Sequence, residues 1–213
     1  MNFDDFYALS SKIKNLPLPG TTAHYKMVPP IRMAEMEKAL QKGVTPKKAG
    51  VMALFYPKED RQTYLLLMLR KAYNGVHSNQ ISFPGGKVEP GDIDLLATAL
   101  RETQEEVGVP QRGVHVVRSL SQVYIPPSNF SVQPYLGLYK KTVPFRIQKE
   151  EVAALVEVSL IDFLDDGKVI KQNLSTSYAS NISVPAFHFN GYIVWGATAM
   201  MLSEVKELLK QVL

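Results

Sequence analysis

The sequence predicts a protein of the α/β class, α+β type, in which short strands and separate helices share one core. Apolar residues recur at helical spacing near both ends of the chain and again after a glycine-rich turn in its middle. Between these stretches lie short runs rich in Val, Ile, Leu and Tyr that read as strands. With 213 residues, 46% hydrophobic and 21% charged, the chain is long enough to close one large core.

Phe3, Phe6, Leu9, Ile13 and Leu16 set a helical stripe that Pro17-Leu18-Pro19-Gly20 ends. A second helix is expected over residues 31–42, stopped by Gly43. Residues 1–48 are thus read as a helical extension packed on the core, and residues 49–213 as the main domain. Residues 49–56 and 63–70 form two strands joined by the polar turn Pro57-Lys58-Glu59-Asp60-Arg61. Gly85-Gly86 then opens a loop, Asp92 is placed to N-cap the next helix, and Gly108 to end it in a left-handed C′ conformation. Further strands are expected over residues 114–123, 131–139, 152–159 and 169–171. A hairpin joins residues 187–189 to 192–194 around Asn190-Gly191. The last helix, over residues 197–213, presents Met200, Met201, Val205, Leu208 and Leu209 as a core stripe, its methionines filling space. Trp195, leading into it beside small residues, is expected in the core.

Composition removes several function classes. The chain has no cysteine, which excludes disulfides, zinc–thiolate centres and a cysteine nucleophile. The acidic start Met1-Asn2-Phe3-Asp4-Asp5-Phe6 lacks the order of a signal peptide, and Leu65–Leu69 is too short to cross a membrane. A cytoplasmic protein without membrane partners is expected. A formal charge of +4 suits an anionic small molecule, while no basic–aromatic interleaving argues for nucleic acid.

The informative chemistry lies between residues 83 and 109. Each helical residue advances about 100°, so Glu102 sits roughly 40° from Glu106 and roughly 60° from Glu105. Ile93, Leu96, Leu100 and Val107 fall on nearly the opposite face. Acids on an outward face are usually just solvated. Here, however, like charges one turn apart destabilise the helix, and a hard divalent cation with oxygen ligands would offset the crowding. Gly85 and Gly86 let backbone approach a ligand or turn a carbonyl toward that cation.

These residues resemble the Nudix box: glycine, five residues, glutamate, seven residues, then Arg-Glu-aliphatic-x-Glu-Glu-x-Gly-aliphatic. Gly86 fits the first position, and Arg101-Glu102 through Gly108-Val109 fit the second half. Asp92 stands where glutamate is usual, eight residues rather than seven precede Arg101, and Thr103 replaces the aliphatic. The longer spacing is similar to the coenzyme A pyrophosphatase branch. That branch is marked upstream by Arg-Ser-x3-Arg-x3-Gly-x3-Phe-Pro-Gly-Gly; Arg70 and Phe83-Pro84-Gly85-Gly86 match, whereas Lys71, Gly75 and Asn79 depart from it. Residues 77–82, 124–130, 150–153 and 195–199 also look like that branch.

The resemblance implies the Nudix fold, a mixed β-sheet sandwiched between helices, and Mg²⁺- or Mn²⁺-dependent hydrolysis of a pyrophosphate bond. Glu102 and Glu106 would be the metal ligands, with Glu105 a third ligand or a water-orienting group and Gly86 adding a carbonyl. Arg101 would orient Glu102 or tie down the loop through Glu89 or Asp92, and Glu151 resembles a downstream acid used near the metal. Arg70, His77, Phe83, Gly85 and Asn129 would line the substrate, although a loop histidine such as His77 more often makes a structural hydrogen bond. Coenzyme A or its thioesters, cleaved to 3′,5′-ADP and a phosphopantetheine product, lead the substrate expectations. ADP-ribose, a dinucleotide polyphosphate or a damaged nucleotide come second, and a catalytically silent nucleotide-binding module third. The sequence leaves a homodimer open.

Overall fold

The structure is a computed structural model that describes residues 1–29, 45–72, 79–142, 144–176 and 179–213. The helix expected over residues 31–42 lies outside the described residues, as does His77.

Three short helices open the chain: α1 (Phe3–Ala8), α2 (Ser10–Asn15) and α3 (Gly20–Tyr25). The Asn2 side chain caps α1 by accepting from the Asp4 N–H at 2.9 Å. The single helix expected up to Leu16 is divided at Leu9, and α3 was not foreseen beyond the proline–glycine break. The strands and helices that follow are β1 (Lys47–Pro57), β2 (Thr63–Arg70), β3 (Ile81–Ser82), β4 (Gly85–Lys87) and α4 (Leu95–Val107). Next come β5 (Val114–Ser119), β6 (Val123–Ile125), β7 (Phe130–Tyr139), β8 (Val152–Ser159) and α5 (Leu160–Leu164). The chain ends with β9 (Val169–Thr176), β10 (Ala179–Phe189), β11 (Tyr192–Val194) and α6 (Gly196–Leu209). β1 begins at Lys47, two residues before the strand was expected.

The mixed sheet is built around β1. One edge of β1 runs parallel to β7 from Lys47 to Phe55. Its other edge is shared: Leu54–Pro57 pair antiparallel with β2, and Ala49–Val51 pair with β4. β2 likewise pairs with β1 near its start and with β3 at Met68 and Leu69, while β8 covers its far edge. Strands β1 and β2 are therefore joined at one end and splayed at the other, with β3 and β4 filling the opening. β5 and β6 both pair with β7, so the one strand expected over residues 114–123 is two. β9, β10 and β11 form a second, three-stranded sheet, closed by the expected two-residue turn with Asn190 at φ 51° and Gly191 at φ 83°.

Strand alternation divides the core into two layers. Ala53, Phe55, Leu65 and Leu67 face Phe3, Phe6 and Ile13 of the N-terminal helices and Met201, Val205 and Leu208 of α6. Met52, Leu54, Leu66 and Met68 face Ala99 and Val107 of α4. Helices thus cover both faces, as the resemblance to the Nudix fold implied. Trp195 is half-buried at the start of α6 rather than fully inside.

Two local expectations fail for one reason. α4 is N-capped not by Asp92 but by Asp94, whose carboxylate accepts from the Ala97 N–H at 2.7 Å. Starting the helix two residues later puts Ile93 before it, 92% exposed instead of on the apolar face. Asp92 is withheld from capping because Arg101 binds it. Gly108 ends the helix in the left-handed conformation expected of it, at φ 76°.

Candidate active site

The site forms where β4 meets α4. Gly85 must pass beside β1 with φ 147°, and a Cβ there would overlap the Gly50 carbonyl and the Val51 Cα. A Cβ on Gly86 would instead overlap the carboxyl group of Glu102. The two glycines therefore let the strand press directly against the acidic face of the helix.

Glu106 is only 1% exposed. Its Oε2 accepts from the Gly85 N–H at 2.7 Å, and its Oε1 faces Arg70 Nη1 at 3.3 Å. Burial pushes its carboxyl up to about 8; the Gly85 and Arg70 donors oppose the shift, and the nearby charges of Glu102 and Glu151 add to it. Glu102 is also raised, first by burial and against the pull of Arg101. The sequence placed both glutamates opposite the apolar stripe. For Glu106 that is corrected: it lies under the loop, because β4 covers that side of the helix.

Arg101 organises the rest. Its Nε and Nη2 grip the Asp92 carboxylate at 2.9 and 3.0 Å, a bidentate pair, and Nη2 also donates to the Lys87 carbonyl at 3.2 Å. Nη1 reaches Glu102 and Glu105, each at 3.0 Å. Asp92 further accepts from the Glu89 N–H and the Thr98 hydroxyl, each at 2.9 Å. Arg101 holds the Asp92 carboxyl well below the usual carboxylate range, and Asp92 in turn raises the guanidinium. Thr103 fills the usual aliphatic position without a polar penalty, since its buried hydroxyl donates to the Ala99 carbonyl at 2.6 Å.

Among the described residues, no three acidic or histidine side chains close into a ready-made metal cluster. The arginines hold the carboxylates instead: Glu105 turns outward to Arg101, with half of its side chain exposed, and Glu106 is clasped by Gly85 and Arg70. The donor set still fits a hard divalent cation. It is all oxygen, and the charges of Glu102 and Glu151 raise the Glu106 carboxyl while those of Glu105 and Glu151 raise that of Glu102, a repulsion that a cation would relieve.

The remaining expected residues divide. Glu151 is exposed but within electrostatic reach of Glu102 and Glu106, its carbonyl held by the Lys71 N–H at 2.7 Å. Phe83, expected against substrate, is 1% exposed in the core layer under the N-terminal helices; it anchors the loop from below. Asn129 occupies a left-handed turn at φ 51° and spends its side chain on the Tyr124 hydroxyl and the Thr45 carbonyl. Sequence reasoning missed that the Gly85 N–H is a carboxylate donor. The Gly-Gly pair before an acidic helix is the signal that would have found it.

A family model described as the NUDIX domain matches residues 46–174. The uncharacterized Nudix hydrolase NudL of Yersinia enterocolitica is 34% identical over 143 residues, covering 67% of this chain and 72% of that protein. Its counterpart in Yersinia pestis matches at 34% identity, with 71% of that protein covered. Among solved structures, the Nudix hydrolase RenU of M. smegmatis aligns with a TM-score of 0.53 at 12% identity, covering 79% of this chain and 88% of that one. The MutT protein of Methanosarcina mazei Go1 gives 0.50 at 16% identity, covering 79% and 99%. At such identities the structural likeness speaks for the fold.

Proposed function

Because the chain belongs to the Nudix family and is a Nudix pyrophosphohydrolase, we propose that it cleaves the diphosphate of coenzyme A or its thioesters at the junction of β4 and α4. The observation that carries the site is the buried Glu106 carboxylate, held on the Gly85 N–H one helical turn from Glu102. In this reading Glu102 and Glu106 hold Mg²⁺ or Mn²⁺, with Glu105 and the Gly86 carbonyl completing the set. When bound, the cation would neutralise phosphoryl oxygens and lower the pKa of water so that hydroxide is available to attack phosphorus.

The chain's own groups do the positioning. Arg101 fixes Glu102 and Glu105 on one side while clamping the loop through Asp92, so a single guanidinium sets both the ligand face and its rim. Among the described residues Arg70 spends one side-chain donor on Glu106, and with its side chain 23% exposed its further N–H groups would suit a phosphate. Glu151 adds negative charge near Glu102 and Glu106 and in this reading would take the proton from water. Residues 49–213 carry this chemistry in our reading, with residues 1–48 as an extension packed on it.

Coenzyme A is favoured by the likeness around Phe83, Asn129 and Trp195 and by the longer spacing from Asp92 to Arg101. A charge-assisted bond to its 3′-phosphate is about twice as strong as a neutral one. Dephospho-coenzyme A is therefore expected to show a lower kcat/KM than coenzyme A, with the gap narrowing as salt rises. Measuring kcat/KM for both, and for ADP-ribose, under one metal and salt condition decides the substrate. Equal or faster cleavage of ADP-ribose overturns the coenzyme A assignment and leaves the hydrolase chemistry intact.

A further inference from the structure

Glu151 stands in the turn that leads into β8. Lys149, Glu150 and Glu151 are all exposed, so burial does not fix this turn. Hydrogen bonds do. The chain before it docks on the last turn of α4: the Arg146 N–H donates to the Val107 carbonyl at 3.1 Å and the Gln148 N–H to the Glu106 carbonyl at 3.0 Å. Both carbonyls are among those a helix end leaves without an internal partner. The turn then closes on itself, the N–H groups of Glu151 and Val152 donating to the Gln148 carbonyl at 3.1 and 2.9 Å.

On its other side the turn meets the end of β2. The pairing of β2 with β8 slips by one residue between Leu69, opposite Ala154, and Arg70, opposite Val152. Such a bulge redirects a strand, and here it brings the Glu151 backbone to Lys71. The Lys71 N–H donates to the Glu151 carbonyl at 2.7 Å, and its Nζ donates to the Lys149 carbonyl at 3.0 Å. One residue thus holds the turn at two carbonyls, directly after Arg70, whose guanidinium meets Glu106. The negative charge of Glu151 acts on both Glu102 and Glu106 and raises each. Its carboxylate therefore works beside the site from a turn tied to α4 and to β2.

We propose that Lys71 is a positioning residue for the hydrolysis, its ammonium holding the Lys149 carbonyl so that the turn keeps the Glu151 carboxylate beside Glu102 and Glu106. The inference rests on Glu151 as the group that takes the proton from water. Main-chain bonds survive an exchange of the side chain at residue 71, but the ammonium bond does not. That bond is charge-assisted and about twice as strong as a neutral one. Placement matters, because a shift of about 1 Å can cost on the order of a hundredfold in rate.

The test is steady-state hydrolysis, with saturating Mg²⁺, of whichever of coenzyme A and ADP-ribose is cleaved faster. Wild type is compared with Lys71→Met, Lys71→Arg, Glu151→Gln and the Lys71→Met/Glu151→Gln double variant. Lys71→Met keeps the apolar stem and loses the ammonium; it is expected to lower kcat about tenfold while KM stays within about twofold. Lys71→Arg, which can still donate to the Lys149 carbonyl, is expected to recover most of kcat. A residue that acts through Glu151 has nothing left to position once that carboxylate is gone. In the Glu151→Gln background, Lys71→Met should therefore change kcat by less than about twofold, an effect that a merely structural role would not produce. Wild-type kcat in Lys71→Met overturns the proposal, as does a raised KM at constant kcat, which would put the ammonium on the substrate. A further loss of about tenfold in the double variant overturns it too, since Lys71 would then act independently of Glu151. Wild-type kcat in Glu151→Gln overturns the role given to Glu151 itself, so the two failures are told apart.

Discussion

At the scale of single residues, the two glycines of the loop have different reasons to be glycine. A side chain on Gly85 would strike the backbone of β1 and would sit at φ 147°, so nothing nearby can yield. A side chain on Gly86 meets the free end of Glu102, which can swing away. Gly85→Ala is therefore expected to cost about 3 kcal/mol or more in stability, whereas Gly86→Ala folds with a small loss and forfeits most turnover by displacing Glu102. Thermal midpoints and kcat of both variants check this, and a Gly86→Ala enzyme with normal kcat would detach Glu102 from the chemistry. Glu106 gives a prediction with a sign. An unfolded glutamate titrates near about 4.3, and the folded group is raised to about 8. The folded state binds this proton more tightly, so its contribution to stability is complete below pH ~4 and is lost as pH rises through ~8. In EDTA, wild-type stability should fall over that window and Glu106→Gln should flatten the fall while losing turnover. An unchanged slope in the variant would mean that another group titrates.

At the scale of elements, α4 and its loop are one unit because Arg101 ties them together. Removing it leaves the Asp92 carboxylate buried without its partner; that side chain is 4% exposed. Arg101→Ala should cost about 3 kcal/mol in unfolding free energy and also release Glu102 and Glu105. Arg101→Lys keeps the charge but cannot grip Asp92 bidentately while reaching Glu102, so it should recover stability more than kcat. Denaturant unfolding beside steady-state kinetics tests the pair, and full recovery of both by lysine would argue against the fork geometry. Leu100 is half-buried rather than fully inside, so Leu100→Ala should cost about 2 kcal/mol, near the low end for such truncations.

At the scale of the whole molecule, the two chain ends meet away from the site. Glu204 of α6 is fully buried; its carboxylate accepts from the Gly20 N–H at 3.2 Å and the Ser121 N–H at 3.1 Å, and it pairs with His24 Nε2 at 3.1 Å. Burial pushes this carboxyl up, but the bonds from His24 and Ser121 outweigh it and hold the group below the usual range. Its contribution to stability is therefore present above the unfolded value and lost as pH falls through the folded one. Glu204→Ala strands the N–H groups of Gly20 and Ser121 and should destabilise the fold by about 3 kcal/mol. Because none of these groups touches Glu102 or Glu106, kcat at a permissive temperature should hold. A large drop in kcat at unchanged stability would contradict that separation.

The sequence by itself determined the parts whose cause is local. Gly108 ended α4 because only its left-handed conformation closes that helix, and Asn190-Gly191 set the last hairpin through its turn type. The strand spans at residues 63–70 and 152–159 followed from runs rich in strand-forming apolar residues. The spacing from Gly86 to Gly108 named the acidic cluster and its family likeness. What required the tertiary structure depends on partners far along the chain. Whether Asp92 or Asp94 caps α4 was decided by Arg101, nine residues beyond Asp92, which takes the first carboxylate for itself. Periodicity assigned Glu106 to the outer face of a lone helix. Only the splaying of β1 from β2 brings β4 over that face, buries the carboxylate on the Gly85 N–H and raises its proton affinity. The same opening sets Phe83 in the core and leaves the buried Ser82 hydroxyl unpaired among the described residues, because which side of a two-residue strand faces inward is fixed by its neighbours and not by its own two side chains.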